Sequence, residues 1–348
     1  MKRLKSKKGT PSLPSPRQYS DPTRQGSKRK RAIIKSTAIF RKISAGISDI
    51  IKSIPVSEKG LVVNSAHAKM INNNKDFVAN VDYFFDVNPS IMRDINAMFR
   101  RLIENNLFEG TINDESLRNF WFDEYVRSAY LEGANDAIRS AQSMAGATGA
   151  AELINGVARV AGSVAFDTGL LNRVNLVASR SFELMKGLSD TMRADLASTL
   201  SAGMADGKGV TELVRDVRKR VGVGAGRATR IVRTEINGAY RQSTRRETDV
   251  LNDDVFDGSG YKMKMLWFSA LAPTTRKSHA KKHGRALTTA EVDKFYGKNA
   301  NSINCYCSQS NVLVDTKTGK VVQADLLKQM REQRKEWFDD DGDVSVAA

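Results

Sequence analysis

Apolar residues recur at helical spacing through most of the first two thirds of the chain. Asn88 followed by Pro89 is typical of a helix N-terminus, because asparagine caps free amide groups and proline fits the first helical position. The apolar positions that follow are three or four residues apart, as on one face of an α-helix: Ile91, Ile95, Met98, Phe99 and Leu102. The pattern predicts an all-helical domain over residues 32–221.

The hydrophobic pattern changes near Gly222. Gly222, Gly224 and Gly226 predict the end of one helix and the start of another, which runs to about Leu251. Shorter apolar runs then predict strands at 263–268 and 303–308, a helix at 273–283 closed by Gly284, and a hairpin at 311–322. The predicted fold class is α+β: an N-terminal all-helical domain, a small α+β module with short antiparallel strands over 222–322, and a helical, acidic tail over 323–348.

Positive charge is concentrated at the N-terminus. The chain of 348 residues has a formal net charge of +16, and residues 1–31 hold eleven Lys and Arg against one acid, Asp21. Prolines interrupt this segment, so it predicts a disordered basic arm. Such an arm favours an anionic partner, which we expect to be double-stranded DNA contacted through its phosphates. The residues predicted to make the contact are Lys2, Arg3, Lys5, Lys7, Lys8, Lys28, Arg29, Lys30 and Arg31.

Composition argues against several other classes of protein. The apolar fraction of 41% is large enough for a hydrophobic core. No apolar segment approaches the roughly 20 residues that cross a membrane, and no apolar stretch follows the basic N-terminus as in a secretory signal. Cys305 and Cys307 alone make no disulfide framework, so we expect a reducing compartment.

Arginines recur along the helix that follows Gly226. They step by three or four residues and therefore share one face with Asn237; they are Arg230, Arg233, Arg241 and Arg245. One interpretation is a basic stripe that contacts DNA or an acidic partner. The other is an ordinary solvated face, partly neutralised by Glu235 and Glu247.

Two histidines and two cysteines form a candidate metal site. His279 and His283 are four residues apart on a predicted helix, and Cys305 and Cys307 are two apart on a predicted strand, so each pair points to one side. Two imidazoles and two thiolates suit tetrahedral Zn²⁺, the one cofactor that the sequence indicates. The alternatives are histidines that complement a helix C-terminus and cysteines that belong to the core.

The same four residues are the only candidates for catalysis. A metal-dependent hydrolase or nuclease that uses them is the alternative function. The zinc-deaminase signature, a P-loop and a dinucleotide-binding glycine pattern are absent from the sequence. We therefore expect that the chain is not an enzyme.

Four short segments follow one another over about residues 222–312. The first is the Arg233, Thr234 and Glu235 run, and the second is the strand that carries Trp267. Arg276 and His279, with His283 and Gly284, form the third, and Asn304, Cys305 and Cys307 form the last. Together they resemble the phage Mu F-like head-morphogenesis family, from which Tyr306 departs because arginine is usual there. The resemblance implies structural roles for Thr234, Glu235, Trp267, Arg276, Gly284 and Asn304.

This resemblance implies a minor capsid protein of a tailed bacteriophage. The implied location is the virion, in the head interior or at the portal vertex, with assembly in the host cytoplasm. The implied partners are the portal protein, the scaffold or major capsid protein, and packaged DNA, during procapsid assembly, DNA packaging or DNA ejection. A free nucleic-acid-binding protein outside any virion is a further alternative.

Overall fold

A computed structural model describes residues 21–54, 56–57, 84–85, 89–108, 121–164, 168–206, 208, 210–322 and 324–340. The helices are α1 (Gly26–Lys52), α2 (Pro89–Leu107), α3 (Asp123–Thr148), α4 (Ala151–Val164), α5 (Thr168–Ala205), α6 (Val210–Leu251), α7 (Lys277–Ala280), α8 (Thr289–Tyr296) and α9 (Ala324–Asp340). The strands are β1 (Val56–Ser57), β2 (Phe84–Phe85), β3 (Tyr261–Phe268), β4 (Ala286–Leu287) and β5 (Ser308–Asp315). A π-helical turn, Asn252–Phe256, follows α6.

The described chain forms two compact units, each assembled from separate segments. One unit combines residues 33–121 with residues 182–229 and is built mainly from helices. In it, the rings of Phe108 and Phe182 are 5.3 Å apart. Arg218 donates a hydrogen bond to Ser48 at 3.0 Å. The short strands β1 and β2 pair in antiparallel fashion.

The other unit contains an antiparallel sheet of order β4-β3-β5. It comprises residues up to 32, residues 122–181 and residues from 230 onward. Side chains alternate between the two faces of β3, so Leu266 and Phe268 join a core with helices α3, α4 and α9, represented by Met144 and Met330. Met265 and Trp267 point to the opposite face and pack with α8 and the two cysteines. This second, smaller core positions the candidate site.

Local sequence explains the elements around that second core. Helix α8 begins with a capping box, in which the Thr288 side chain and the Glu291 backbone and carboxylate bond reciprocally. Gly284, which follows the α7 turn, has a φ of 75°, and a Cβ there would lie 2.8 Å from Cβ of Met330. Glycine is therefore needed at position 284 for both backbone conformation and space.

The predicted α+β class is confirmed, and several predicted boundaries are wrong. The boundary at 221/222 falls within α6, which is continuous from Val210 to Leu251, so the three glycines do not end a helix. Residues 303–307 are not a strand; β5 begins at Ser308. The segment 122–181 belongs to the same unit as the sheet, because α3 and α4 supply much of its core.

The predicted disordered arm over residues 1–31 is wrong for residues 21–31. Helix α1 begins at Gly26, whose backbone amide donates to the Asp21 carboxylate at 2.6 Å, so residues 21–31 are folded. Residues 1–20 lie outside the described residues. No helix within the described ranges is long and apolar enough to cross a membrane.

Candidate functional site

Three of the four predicted metal ligands converge. Nδ1 of His279, on α7, lies 3.4 Å from Sγ of Cys305 and 3.5 Å from Sγ of Cys307. Both cysteines belong to the loop that precedes β5, and all three side chains are buried. Their ligand atoms lie within 4.8 Å of one another. The cluster is a compact set of one imidazole and two thiols.

The prediction that His283 is the fourth ligand is wrong. The Ser269 backbone amide donates to Nδ1 of His283 at 3.0 Å, and Nε2 lies 3.2 Å from Oε1 of Gln333. The α7 helix ends at Ala280, so the helical i, i+4 spacing assumed for the two histidines does not hold. His283 is therefore a buried core residue whose two nitrogens are both occupied.

The two thiols differ in acidity. The pKa of Cys305 lies well below the ordinary value, because Cys307 donates to it and the Arg241 charge and His279 act in the same direction. The pKa of Cys307 is raised by burial and by the adjacent Cys305. The two thiols titrate as a coupled pair, in which Cys305 is the more acidic.

One face of helix α6 makes hydrogen bonds to the loop that carries Cys305 and Cys307, called here the cysteine loop. Asn304 donates its backbone amide to Oγ1 of Thr234 at 3.0 Å, and Asn237 donates its side-chain amide to the Cys305 oxygen at 2.9 Å. Arg241, two turns from Thr234, donates to the Cys305 oxygen at 3.2 Å and to the Cys307 oxygen at 3.3 Å. Residues at i, i+3 and i+7 of one helix therefore satisfy the backbone of the loop that carries the ligands.

This arrangement corrects the predicted basic stripe. Arg241 is 2% exposed and cannot reach DNA. Arg245 is half-buried and forms an ion pair with Asp293 at 2.7 Å. Arg233 is half-buried, and Arg230 alone of the four is exposed. Neither sequence interpretation, a DNA-binding stripe or a solvated face, describes Arg241 and Arg245, which are bonded within the protein.

Arg276 holds the loop from the opposite side. Its guanidinium donates to the main-chain oxygen of Ala300 at 3.1 Å and to that of Ile303, and Nη1 lies 3.3 Å from Nε2 of His279. Trp267, fully buried, stacks on the Tyr296 ring at 5.2 Å and meets His279 edge-on at 6.1 Å. The strand, the α7 turn and the loop thus share one core.

Glu235 and Asn304 are two further residues that were predicted to have structural roles. Glu235 is buried and accepts hydrogen bonds from Arg180 at 3.2 Å and Ser181 at 3.3 Å. Burial raises the Glu235 pKa, and Arg180 and Ser181 oppose that shift. Glu235 thus joins α6 to α5 within the same unit. Asn304 adopts a positive φ of 51°, which turns the chain toward Cys305.

The N-terminal basic residues divide into two groups. Lys28 and Arg29 are buried, contrary to a role in DNA contact: Lys28 pairs with Glu132, and Arg29 donates to Oδ1 of Asn237 at 2.7 Å. Arg29 also lies over the Tyr306 ring at 4.9 Å. Lys30 and Arg31 are exposed. Lys2, Arg3, Lys5, Lys7 and Lys8 lie outside the described residues.

Sequence reasoning missed the residues that link the site to its surroundings. Tyr296 is buried, its hydroxyl accepts from Gln309 at 2.9 Å, and its ring lies 4.5 Å from Cζ of Arg241. Asp21 and Thr23 bind Arg29. The one available signal was the polar Asn237 on the arginine face, since a polar residue at a core-facing position needs a buried partner.

A pocket of about 340 Å³ opens beside the cluster. Its wall includes His279, Cys305 and Cys307, together with Arg276 and Thr275. No carboxylate is among the described residues that line it. The cluster therefore has one side turned toward open space rather than toward a fourth protein ligand.

Comparison with known proteins finds one similarity, to a family model. The family model described as "Phage Mu protein F like protein" matches residues 194–310, about a third of the chain. The match includes Thr234, Trp267, His279 and both cysteines. No curated protein matches, and no solved structure matches.

Proposed function

We propose that the chain is a minor head protein of a tailed phage and takes part in head morphogenesis, because residues 194–310 match the model of the phage Mu protein F like family. The observation that carries this proposal is that the segments that resemble the family pack together in one core. The four segments of the resemblance lie in different elements, yet Thr234, Trp267, His279 and Asn304 belong to one hydrogen-bonded and packed assembly. The use of Thr234 and Asn304 to hold backbone supports a structural role for this part of the chain.

Within the head, we place the chain at the portal vertex or in the head interior, with assembly in the host cytoplasm. The helical unit, residues 33–121 and 182–229, is the part we assign to contact with the portal, scaffold or major capsid protein. Several of its large apolar side chains are exposed, including Ile34 and Val223. Exposed apolar side chains are available for contacts between subunits.

We assign the DNA contact to basic residues of the N-terminal segment and to one exposed arginine of α6. Lys28, Arg29 and Arg241 are occupied within the protein, so the proposed contacts are the lysines and arginines among residues 2–8, together with the exposed Lys30, Arg31 and Arg230. Contacts made by lysine and arginine with phosphates carry no sequence information. The proposed binding is therefore independent of DNA sequence and sensitive to salt, during packaging or ejection.

The proposal assigns the chain no catalytic step. A hydrolase or nuclease built on the cluster would need a general base near the reacting water, and carboxylates commonly serve as that base. The described lining of the 340 Å³ pocket offers arginine, threonine, asparagine and tyrosine instead.

Mass spectrometry of purified particles tests the proposal. Procapsids and virions made by the phage or prophage that carries the gene are separated by density and digested. We expect peptides of the chain in one or both fractions, at a copy number close to that of the portal and far below that of the major capsid protein. Absence from both fractions, with the chain recovered only as free protein, would overturn it.

A further inference from the structure

We propose that His279, Cys305 and Cys307 bind one Zn²⁺ ion whose fourth position faces the adjacent pocket. This site is independent of the proposed head function. It rests on the three ligand types, their distances, their burial and the way the surrounding chain fixes them.

The distances fit a single tetrahedral zinc ion. Zn–N and Zn–S bonds of about 2.1 and 2.3 Å at a tetrahedral angle place nitrogen and sulfur about 3.6 Å apart. The two distances from Nδ1 of His279 are 3.4 Å to Cys305 and 3.5 Å to Cys307. One imidazole and two thiolates are also a ligand set that favours zinc over magnesium or calcium.

The ligands are held in place before any metal binds. Arg241 and Asn237 fix the main-chain oxygens of the cysteine loop, and Arg276 fixes those of Ala300 and Ile303. Trp267 and Phe295 pack edge-on against the His279 ring, at 6.1 and 4.9 Å. Fixed ligands reduce the ordering cost of coordination.

The local charges also suit a divalent cation. Two thiolates neutralise the charge of Zn²⁺, so the filled site adds no net charge to the core. Arg241 is buried beside the site. The Cys305 and Cys307 oxygens and the Tyr296 ring surround its guanidinium.

Metal binding requires one local rearrangement. A metal on Nδ1 leaves the imidazole proton on Nε2, where Nη1 of Arg276 now lies at 3.3 Å. The Nε2–H group and the Arg276 guanidinium are both donors, so they cannot hydrogen-bond to each other. We expect Arg276 to release Nε2 while it keeps its bonds to Ala300 and Ile303, and the thiol protons to pass to solvent.

The fourth position would be taken by water or by another small donor from the pocket. A zinc ion with three protein ligands commonly keeps one position for such a ligand. His283, the only other histidine among the described residues, has both nitrogens occupied by Ser269 and Gln333. Thr275, Arg276 and Asn304 line the opening and would surround the exogenous ligand.

Cobalt titration of the full chain tests the site. The protein is purified with reductant, treated with a chelator and titrated with Co²⁺ and then Zn²⁺. We expect a thiolate-to-cobalt charge-transfer band and a tetrahedral visible spectrum that saturate at about one equivalent and are removed by Zn²⁺. Absence of both bands in folded protein, or a Cys305–Cys307 disulfide that persists under reductant, would overturn the proposal.

Two variants separate coordination from folding. Cys305→Ser should lower the cobalt affinity at least about 10-fold and weaken the charge-transfer band, because one thiolate is lost. His283→Gln changes a buried histidine of the same unit that is not a ligand, so stoichiometry and spectrum should stay as in the wild type. An unchanged spectrum in Cys305→Ser, or loss of the bands only in His283→Gln, would contradict the assignment.

Discussion

Arg241 donates hydrogen bonds to the main-chain oxygen of Cys305, at 3.2 Å, from the same face of α6 that carries Thr234 and Asn237. The arginine is 2% exposed. An arginine-rich helix face thus organises the loop that presents the two thiols, rather than meeting an outside partner. This relationship links the family segments into one unit and yields the predictions that follow.

Replacing Arg241 should destabilise the sheet-bearing unit. Arg241→Met removes the Arg241 hydrogen bond from the Cys307 oxygen and one of the two side-chain hydrogen bonds to the Cys305 oxygen. We therefore expect the free energy of unfolding to fall by about 2–4 kcal/mol in urea titrations. Arg241→Lys should restore only part of that loss, because a single ammonium does not reproduce the planar, multi-donor guanidinium.

Arg246 provides the matched control for this change. It lies on the same helix and is exposed, so Arg246→Met should alter the free energy of unfolding by less than about 0.5 kcal/mol. Equal effects at Arg241 and Arg246 would mean that the inward face of α6 is not as described.

DNA binding should depend on the N-terminal basic residues and not on Arg241 or Arg245 of α6. Replacing Lys2, Arg3, Lys5, Lys7 and Lys8 with glutamine should weaken binding to duplex DNA and flatten its salt dependence. Each lost phosphate contact should reduce the slope of log K against log salt by about 0.9. Lys30→Gln with Arg31→Gln should act in the same direction and less strongly.

The control for DNA binding removes equal charge elsewhere. Lys317 and Lys320 are exposed in the turn after β5, and replacing both with glutamine should leave the salt slope unchanged. Fluorescence anisotropy at several salt concentrations measures the slopes. If Lys317 and Lys320 matter as much as Lys30 and Arg31, binding follows net charge alone and the proposed contact is wrong.

Two glycines should respond to alanine in opposite directions. At Gly284, with its φ of 75° and a Cβ that would approach Met330 within 2.8 Å, alanine should cost roughly 2 kcal/mol or more. At Gly222, inside α6 with no atom within 4 Å of the added Cβ, alanine should stabilise the protein by about 0.5–1 kcal/mol. Thermal unfolding of both variants checks the pair, and destabilisation by Gly222→Ala would argue for a helix break there.

Stability should fall in mild acid because of His283. Burial, with a smaller contribution from the Arg334 charge, lowers its pKa from 6.5 to about 4. Between these values the unfolded chain binds a proton that the folded chain does not. The free energy of unfolding therefore falls as pH drops from about 6.5 to 4, by about 2–3 kcal/mol from this group.

The variant His283→Gln isolates that contribution. Urea unfolding at pH 7.5 and pH 5 should give a smaller difference for the variant than for the wild type, since glutamine does not titrate. The same pH dependence in both proteins would show that His283 is not a buried neutral group.

The sequence predicted the α+β class and three of the four cluster residues, since His279, Cys305 and Cys307 carry a recognisable chemistry. It could not predict which groups His283 bonds to, because that depends on where α7 ends and on the distant Gln333. Local spacing placed the arginines on one face. Whether that face points inward depends on the Cys305 backbone, 64 residues beyond Arg241.

The prediction of disorder for residues 21–31 failed for the same reason, which is a contact between residues far apart in sequence. Basic residues near prolines are typical of disorder, yet Arg29 is buried through bonds to Asp21, Thr23 and Asn237. Asn237 is 208 residues away along the chain. A contact at that separation leaves no periodic pattern in sequence, and the glycines of α6 likewise remain helical because their neighbours supply the helix with packing.

Hydrogen–deuterium exchange of the segment 302–307 tests the central claim most directly, which is that α6 closes this loop into one unit with the sheet. The Asn304 amide is bonded to Thr234 and the Cys305 and Cys307 oxygens to Arg241. We predict slow exchange of this segment in the wild type and exchange at least about 10-fold faster in Arg241→Met, while strands β3 and β5 stay protected. Exchange of 302–307 at the rate of an unstructured peptide in the wild type would contradict the account.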